Sequence, residues 1–139
     1  MKKVIISIST IAIFFLLVYF VKINISIPSG IQIKIDEITL GFKGVISDKF
    51  SVRNTKPTHL KVKTENGFVE ISPYQKIVDL AEIGDSLIKP KNQNFVYLKK
   101  RNGQVHEIFY TRLSLKTRNH KSFPQEWKDK WMESSEWDK

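Results

Sequence analysis

The chain has 139 residues, no cysteine, and 23 Lys and Arg against 14 Asp and Glu, a formal charge of +9. The lack of cysteine excludes a disulfide framework, a thiolate metal site and a lipid-modified cysteine. The positive balance makes polyanions and anionic membrane surfaces natural neighbours, although a solvated basic surface accounts for such a charge equally well.

The first element is the apolar run from Val4 to Val21, VIISISTIAIFFLLVYFV, which holds no charge, no Pro and no Gly. As a helix its 18 residues extend about 27 Å, close to the thickness of a bilayer's hydrocarbon core. The run is longer than the apolar region of a cleaved signal peptide, and no small-x-small site follows it. A retained, single-pass signal anchor over residues 1–22 is therefore expected, with cleavage as the alternative. Lys2 and Lys3 precede the run and favour a cytoplasmic N-terminus. The rest of the chain is then expected outside the cytoplasmic membrane.

Residues 23–37 form a juxtamembrane segment or the first strands. Ile23-Asn-Ile-Ser-Ile27 and Ile31-Gln-Ile-Lys-Ile35 both alternate apolar and polar, the period of a strand, around a turn at Pro28-Ser-Gly30. Residues 38–119 form a β-rich domain. Ile38 to Phe42 and Val45-Ile46 continue the β character, with Gly41 and Gly44 as bulge or turn positions. Lys49 to Arg53 is a further candidate strand. Leu60 to Glu65 and Phe68 to Ile71 flank Asn66-Gly67, and Phe95 to Arg101 and Gln104 to Tyr110 flank Asn102-Gly103. Each pair predicts a hairpin with a type I′ turn, which requires positive φ at both turn residues. Ile77, Leu80 and Ala81 have helical spacing within Tyr74 to Ile83, Ser86-Leu-Ile-Lys89 is a short extended piece, and Thr111 to Thr117 extends the second hairpin by another strand.

The tail, residues 120–139, holds all three tryptophans. Ser122, Pro124 and Gln125 form a helix-start signature. Phe123, Trp127 and Trp131 are spaced by four and so share one face of the helix that signature predicts. That face either packs on the β domain or contacts a partner or the membrane interface. The fold expected is mainly β: an N-terminal transmembrane helix, a small β-barrel or barrel-sandwich-like domain with hairpins, and a short C-terminal helix.

Motifs for catalysis are sparse. His59, His106 and His120 form no HxH, HxxxH or HExxH pattern, and zinc needs three or four converging ligands. Ser86 follows Gly84-Asp85 but lies in no GxSxG elbow, so Gly84, Asp85 and Ser86 are assigned to a turn, with the Asp85 side chain shaping it. No phosphate loop is present. Lys99-Lys-Arg101 beside Phe95 and Tyr97 resembles a single-strand nucleic-acid surface, but the expected topology disfavours it. No catalytic, cofactor or metal residue is assigned.

Ala81-Glu-Ile-Gly-Asp-Ser-Leu-Ile-Lys89, followed by Asn92 to Lys99, resembles a group of short membrane-anchored bacterial envelope proteins of unassigned function. Their pattern is a Gly-Asp-Ser-hydrophobic-x-Lys turn before an aromatic-rich strand. More loosely, Gly44-Val-Ile46, the Asn66-Gly67 hairpin and the Gly84-Asp85 turn are similar to barrel-sandwich hybrid domains of lipoyl carriers and lysostaphin-like peptidases. The likeness spans Gly41 to Lys99. The hairpin tip Glu65-Asn66-Gly67 lacks the carrier lysine, and the peptidases' HxH is missing, so their functional residues do not carry over. The function expected is a membrane-tethered, non-enzymatic binding or scaffolding module of the cell envelope; the alternative is a small envelope hydrolase. The partners expected are the membrane, through the N-terminal helix, and a protein of the envelope.

Overall fold

The computed structural model describes residues 13–16, 18, 19 and 30–135. Most of the Val4–Val21 run therefore lies outside the described residues, as do residues 22–29 and Trp137. Residues 13–16, 18 and 19 are helical. Among the described residues no helix is long and apolar enough to cross a membrane.

The domain is mainly one antiparallel sheet. Its strands are β1 (Phe42–Phe50), β2 (His59–Thr64), β3 (Gly67–Ile71), β4 (Ser86–Lys89), β5 (Phe95–Lys99) and β6 (Val105–Phe109). They lie in the order β3-β2-β1-β4-β5-β6. Two local meanders, β1 to β3 and β4 to β6, are thus joined where β1 pairs with β4. Alternation fixes which face is buried. Leu60 and Val62 of β2, Leu87 of β4, and Val96 and Leu98 of β5 point inward. They pack with Ile46 and with Ile77, Val78 and Ala81 from helix α2 (Gln75–Leu80) and its C-cap. Each such side chain contributes about 1.5–3 kcal/mol on burial.

Gly44 sits inside β1 and makes no bulge; the register shift falls between Ile46 and Asp48. A Cβ at Gly44 would lie 2.3 Å from the Lys63 carbonyl oxygen, so the close approach of β2 requires glycine there. The candidate strand at Lys49 to Arg53 is instead the end of the long β1, which stops at Phe50. Both hairpins form, but not with type I′ turns. Gly67 and Gly103 have φ of +117° and +90°, while Asn66 and Asn102 do not take positive φ. At the second hairpin the Gly103 N–H donates to the Lys100 carbonyl (2.9 Å) and the Lys100 N–H to the Gln104 carbonyl (2.8 Å). That is a type I turn followed by a glycine bulge, the usual three-residue hairpin loop.

Ile31 to Ile35 is not a strand. It belongs to helix α1 (Gly30–Thr39). The same isoleucines that alternate at 31, 33 and 35 also supply Ile31, Ile35 and Ile38, one helical stripe. The Gln32–Asp36 hydrogen bond (2.9 Å) and the Lys34–Glu37 ion pair (3.0 Å) match helical spacing. The stripe packs on Leu113, Phe123 and Trp127, a second core beside the sheet. Thr111 to Thr117 is likewise no strand. The Asn94 amide donates to the Thr111 carbonyl (2.9 Å) and accepts from the Thr111 N–H (3.0 Å), ending the ladder. Ser114 then caps helix α3 (Leu115–Arg118), accepting from the Thr117 N–H at 3.2 Å.

The tail is not one helix. It has 3-10 turns at Gln125–Trp127 and Met132–Ser135, and Trp131 between them has a φ of +54°. The aromatic ladder persists without the helix: Phe123 and Trp127 have ring centroids 6.2 Å apart, and Trp127 and Trp131 6.1 Å apart, both edge to face. Ser122 caps nothing with its side chain; Pro124 is the cap residue of the first turn.

Four changes test these contacts. Gly103→Val should cost about 1 kcal/mol, through positive φ alone, because a Cβ there meets open space. Gly44→Ala should cost more, although its φ is ordinary, because the new methyl strikes backbone; equal urea midpoints for the two variants would contradict this. Trp127→Ala should cost about 3 kcal/mol by calorimetry. Removing residues 122–139 should lower the melting temperature of the chain, since this segment closes the second core.

Candidate binding surface

The Gly84-Asp85 turn and the Asn102-Gly103 hairpin, far apart in sequence, meet; Ser86, assigned to the turn from sequence, is instead the first residue of β4. Asp85 is buried, and its carboxylate accepts from Lys100 Nζ (2.7 Å), the Glu82 N–H (2.9 Å) and the Arg101 N–H (3.2 Å). Burial pushes the Asp85 carboxyl up, but the Lys100 ammonium and the two backbone donors outweigh it and hold the group below the usual carboxylate range. The stability this latch contributes is present above the ordinary carboxylate pKa and is lost as pH falls through the lowered one. Gly84, at φ +95°, lets the chain turn beneath the Arg101 side chain. Asn66-Gly67 lies at the separate β2–β3 tip.

Two buried cations were missed in the sequence. Lys89, the last residue of β4, is 1% exposed, and its ammonium donates to the carbonyls of Ile38 (3.0 Å), Leu40 (2.9 Å), Pro90 (3.1 Å) and Gln93 (2.5 Å). It also lies 5.2 Å from the centre of the Tyr110 ring. Burial pulls its pKa down to about 8, opposed by the Glu37 carboxylate. Arg118, 2% exposed, donates to the carbonyls of Leu113, Lys128, Lys130 and Trp131 and to the hydroxyls of Ser134 and Ser135. It gathers the tail around one guanidinium. These groups are engaged in holding the domain together. Phe123, Trp127 and Trp131 likewise face the second core.

The outer face of the sheet is different. Cross-strand register aligns one residue from each strand: Phe68, Lys63, Val45, Ser86, Lys99 and Val105. The row crosses the whole sheet and alternates apolar and basic groups on both sides of its centre. Phe68 is 59% exposed, Val105 57% and Val45 45%. Lys43, two residues before Val45 on β1, shares this face. Around Lys43, Val45, Lys63, Glu65 and Ser86 lies a shallow hollow of about 350 Å³. Among the described residues Lys43, Lys63 and Lys99 form no ion pair with a carboxylate. By contrast, Lys61 on the same sheet is paired with Glu70 at 3.6 Å. No signal within a single segment could reveal this row, because it needs the register of six strands at once.

His59 in β2, His106 in β6 and His120 in the tail stay on separate elements. Among the described residues no group of three or more His, Asp or Glu could hold a metal ion. Comparison with protein families, with curated proteins and with solved structures gives no match to this chain.

Lys89→Met should destabilise the domain by about 2–3 kcal/mol at pH 7, because four carbonyls lose their donor. The difference should change with pH in a defined sense. Between about 8 and the ordinary lysine value of 10.5 the unfolded chain binds more protons than the folded one, so this group raises stability as pH increases. Denaturant titrations at pH 7.5 and 10 should therefore show the gap between wild type and variant widening; a constant gap would contradict the assignment.

Proposed function

We propose that the chain is a membrane-tethered, non-enzymatic binding module of the cell envelope, and that the outer face of its sheet is the binding element. The observation that carries this reading is the row across the sheet in which exposed Phe68, Val45 and Val105 stand beside unpaired Lys63 and Lys99, with Ser86 at its centre. On the same face Lys61 is paired with Glu70, whereas Lys43, Lys63 and Lys99 have no carboxylate partner among the described residues. The deeper polar groups support the same reading from the other side: Asp85, Lys89, Asn94 and Arg118 are all engaged in structural hydrogen bonds.

The tether rests on the uncharged run from Val4 to Val21. Its described helical residues carry Ile13, Phe14, Phe15 and Leu16 at 58–67% exposure, apolar side chains that the domain core does not take up. Lys2 and Lys3 favour the orientation that leaves the sheet domain outside the cytoplasm. A rolled, barrel-like sheet is supported by the Tyr74 N–H, which follows β3, donating to the carbonyl of Tyr110, which follows β6, at 3.0 Å.

A reporter enzyme active only outside the cytoplasm, fused after Lys139, should be active, and the chain should resist alkaline extraction from membranes. Reporter activity only in a cytoplasmic version would reverse the orientation. Recovery of a soluble chain beginning near Gly30 would replace the anchor by a cleaved signal.

A further inference from the structure

We infer that the outer sheet face docks onto an anionic lipid surface, so that the domain lies on the membrane beside its own anchor. This rests on the tethered reading above and deepens it by naming the partner of the face.

Three observations lead there. The row Phe68, Lys63, Val45, Ser86, Lys99 and Val105 sets three exposed apolar groups, Phe68, Val45 and Val105, beside the ammonium groups of Lys63 and Lys99. That composition suits the boundary between lipid headgroups and acyl chains: the lysines meet phosphates, and the short apolar groups enter the interface. Charge complementarity is the second. Lys43 and Lys63 rim the hollow over Gly44 and outnumber the one acidic residue of its lining, Glu65, and the Ser86 hydroxyl adds a donor there. Neither lysine is neutralised by a carboxylate among the described residues. The third is reach. Only residues 22–29 separate the end of the apolar run from Gly30. Fully extended, those residues reach at most about 28 Å. A domain held so close meets the bilayer surface constantly, and a face that offers both lysines and exposed apolar groups gains by that contact.

A protein partner would be expected to need a groove or a deep apolar pocket, with anchors fully desolvated at its centre. The hollow on this face is shallow, and the apolar groups of the row are separated by Lys63 on one side and by Ser86 and Lys99 on the other. A lipid surface, which is fluid and adapts its headgroups, needs no such fit.

The absence of cysteine makes the test direct. Full-length protein carrying Val45→Cys is labelled with an environment-sensitive dye and reconstituted into vesicles of neutral phosphatidylcholine, or of phosphatidylcholine with phosphatidylglycerol. Val52→Cys, in the exposed loop beyond the far end of β1, is the control. Dye at position 45 should shift to the blue and lose access to an aqueous quencher in the anionic vesicles, but not in the neutral ones. Dye at position 52 should not respond. The response should disappear in roughly 0.5 M salt, where the screening length is about 4 Å. It should also disappear in the triple variant Lys43→Glu, Lys63→Glu, Lys99→Glu. Should that variant not fold, Lys63→Glu with the salt titration serves in its place.

No difference between the two lipids, or an equal response at position 52, overturns docking by this face. A blue shift produced by soluble polyphosphate but not by anionic vesicles overturns the lipid assignment in favour of a soluble polyanion. Alkaline extraction from neutral vesicles reports on the anchor separately. If the chain is stripped from them, the tether reading fails, and the dye response on anionic vesicles alone then decides the face.

Discussion

The domain depends on a single ammonium group. Lys89 ends β4, yet its Nζ reaches two carbonyls at the C-terminal end of α1 and two in the β4–β5 connection. Helix C-termini leave carbonyls without intrahelical partners and carry partial negative charge. A cation there satisfies both needs. Four carbonyl acceptors partly replace the hydration that burial removes, which is why a charged lysine persists at 1% exposure with no ion-paired carboxylate among the described residues. The result is positional. The C-terminal end of α1 is fixed to the sheet at Lys89, and the Ile31, Ile35 and Ile38 stripe is then held against Leu113, Phe123 and Trp127.

Arg118 repeats this solution at the other end of the molecule. Its planar fork reaches carbonyls and hydroxyls on both sides of the tail's irregular turns. A regular helix would have satisfied those carbonyls itself. The chain from Lys128 to Ser135 instead uses one side chain as a hub, which allows Trp131 its left-handed backbone and keeps the three aromatic rings in contact. The two cations divide the labour of the second core between them: one positions α1, the other the tail.

How much of this was readable in the sequence depended on how local its cause was. The hairpins were legible because Asn66-Gly67 and Asn102-Gly103 stand between alternating runs; the turn type was not, because a glycine bulge and a type I′ turn share that dipeptide. Helix α1 was misread because Ile31, Ile33, Ile35 and Ile38 satisfy both the strand and the helix period, and the contacts that choose between them come from residues 113–131. The aromatic ladder was legible in the spacing of Phe123, Trp127 and Trp131, but its backbone was not, since Arg118 acts from outside the segment. Asp85 was read as shaping a turn through its side chain; its partner Lys100 belongs to another hairpin and so could not be read locally. The buried lysine and the outer row were hidden for one reason. Both are assembled from segments that meet only after the sheet has its order.

That order bears on how the chain folds. Four of the five strand pairings join neighbours in sequence, within the two meanders. Only the pairing of β1 with β4, from Phe42 opposite Lys89 to Val45 opposite Ser86, closes a long loop. The entropy of that closure has to be met before its contacts repay it. The central seam is therefore the natural place for the folding barrier, with each meander forming early on its own side. Gly44 lies in this seam, and the Asp85 backbone meets β1 just beyond it, where the Ile46 N–H donates to the Asp85 carbonyl at 2.9 Å. The strand pairing that closes the longest loop and the most sterically demanding glycine thus coincide, at the seam where the two meanders dock.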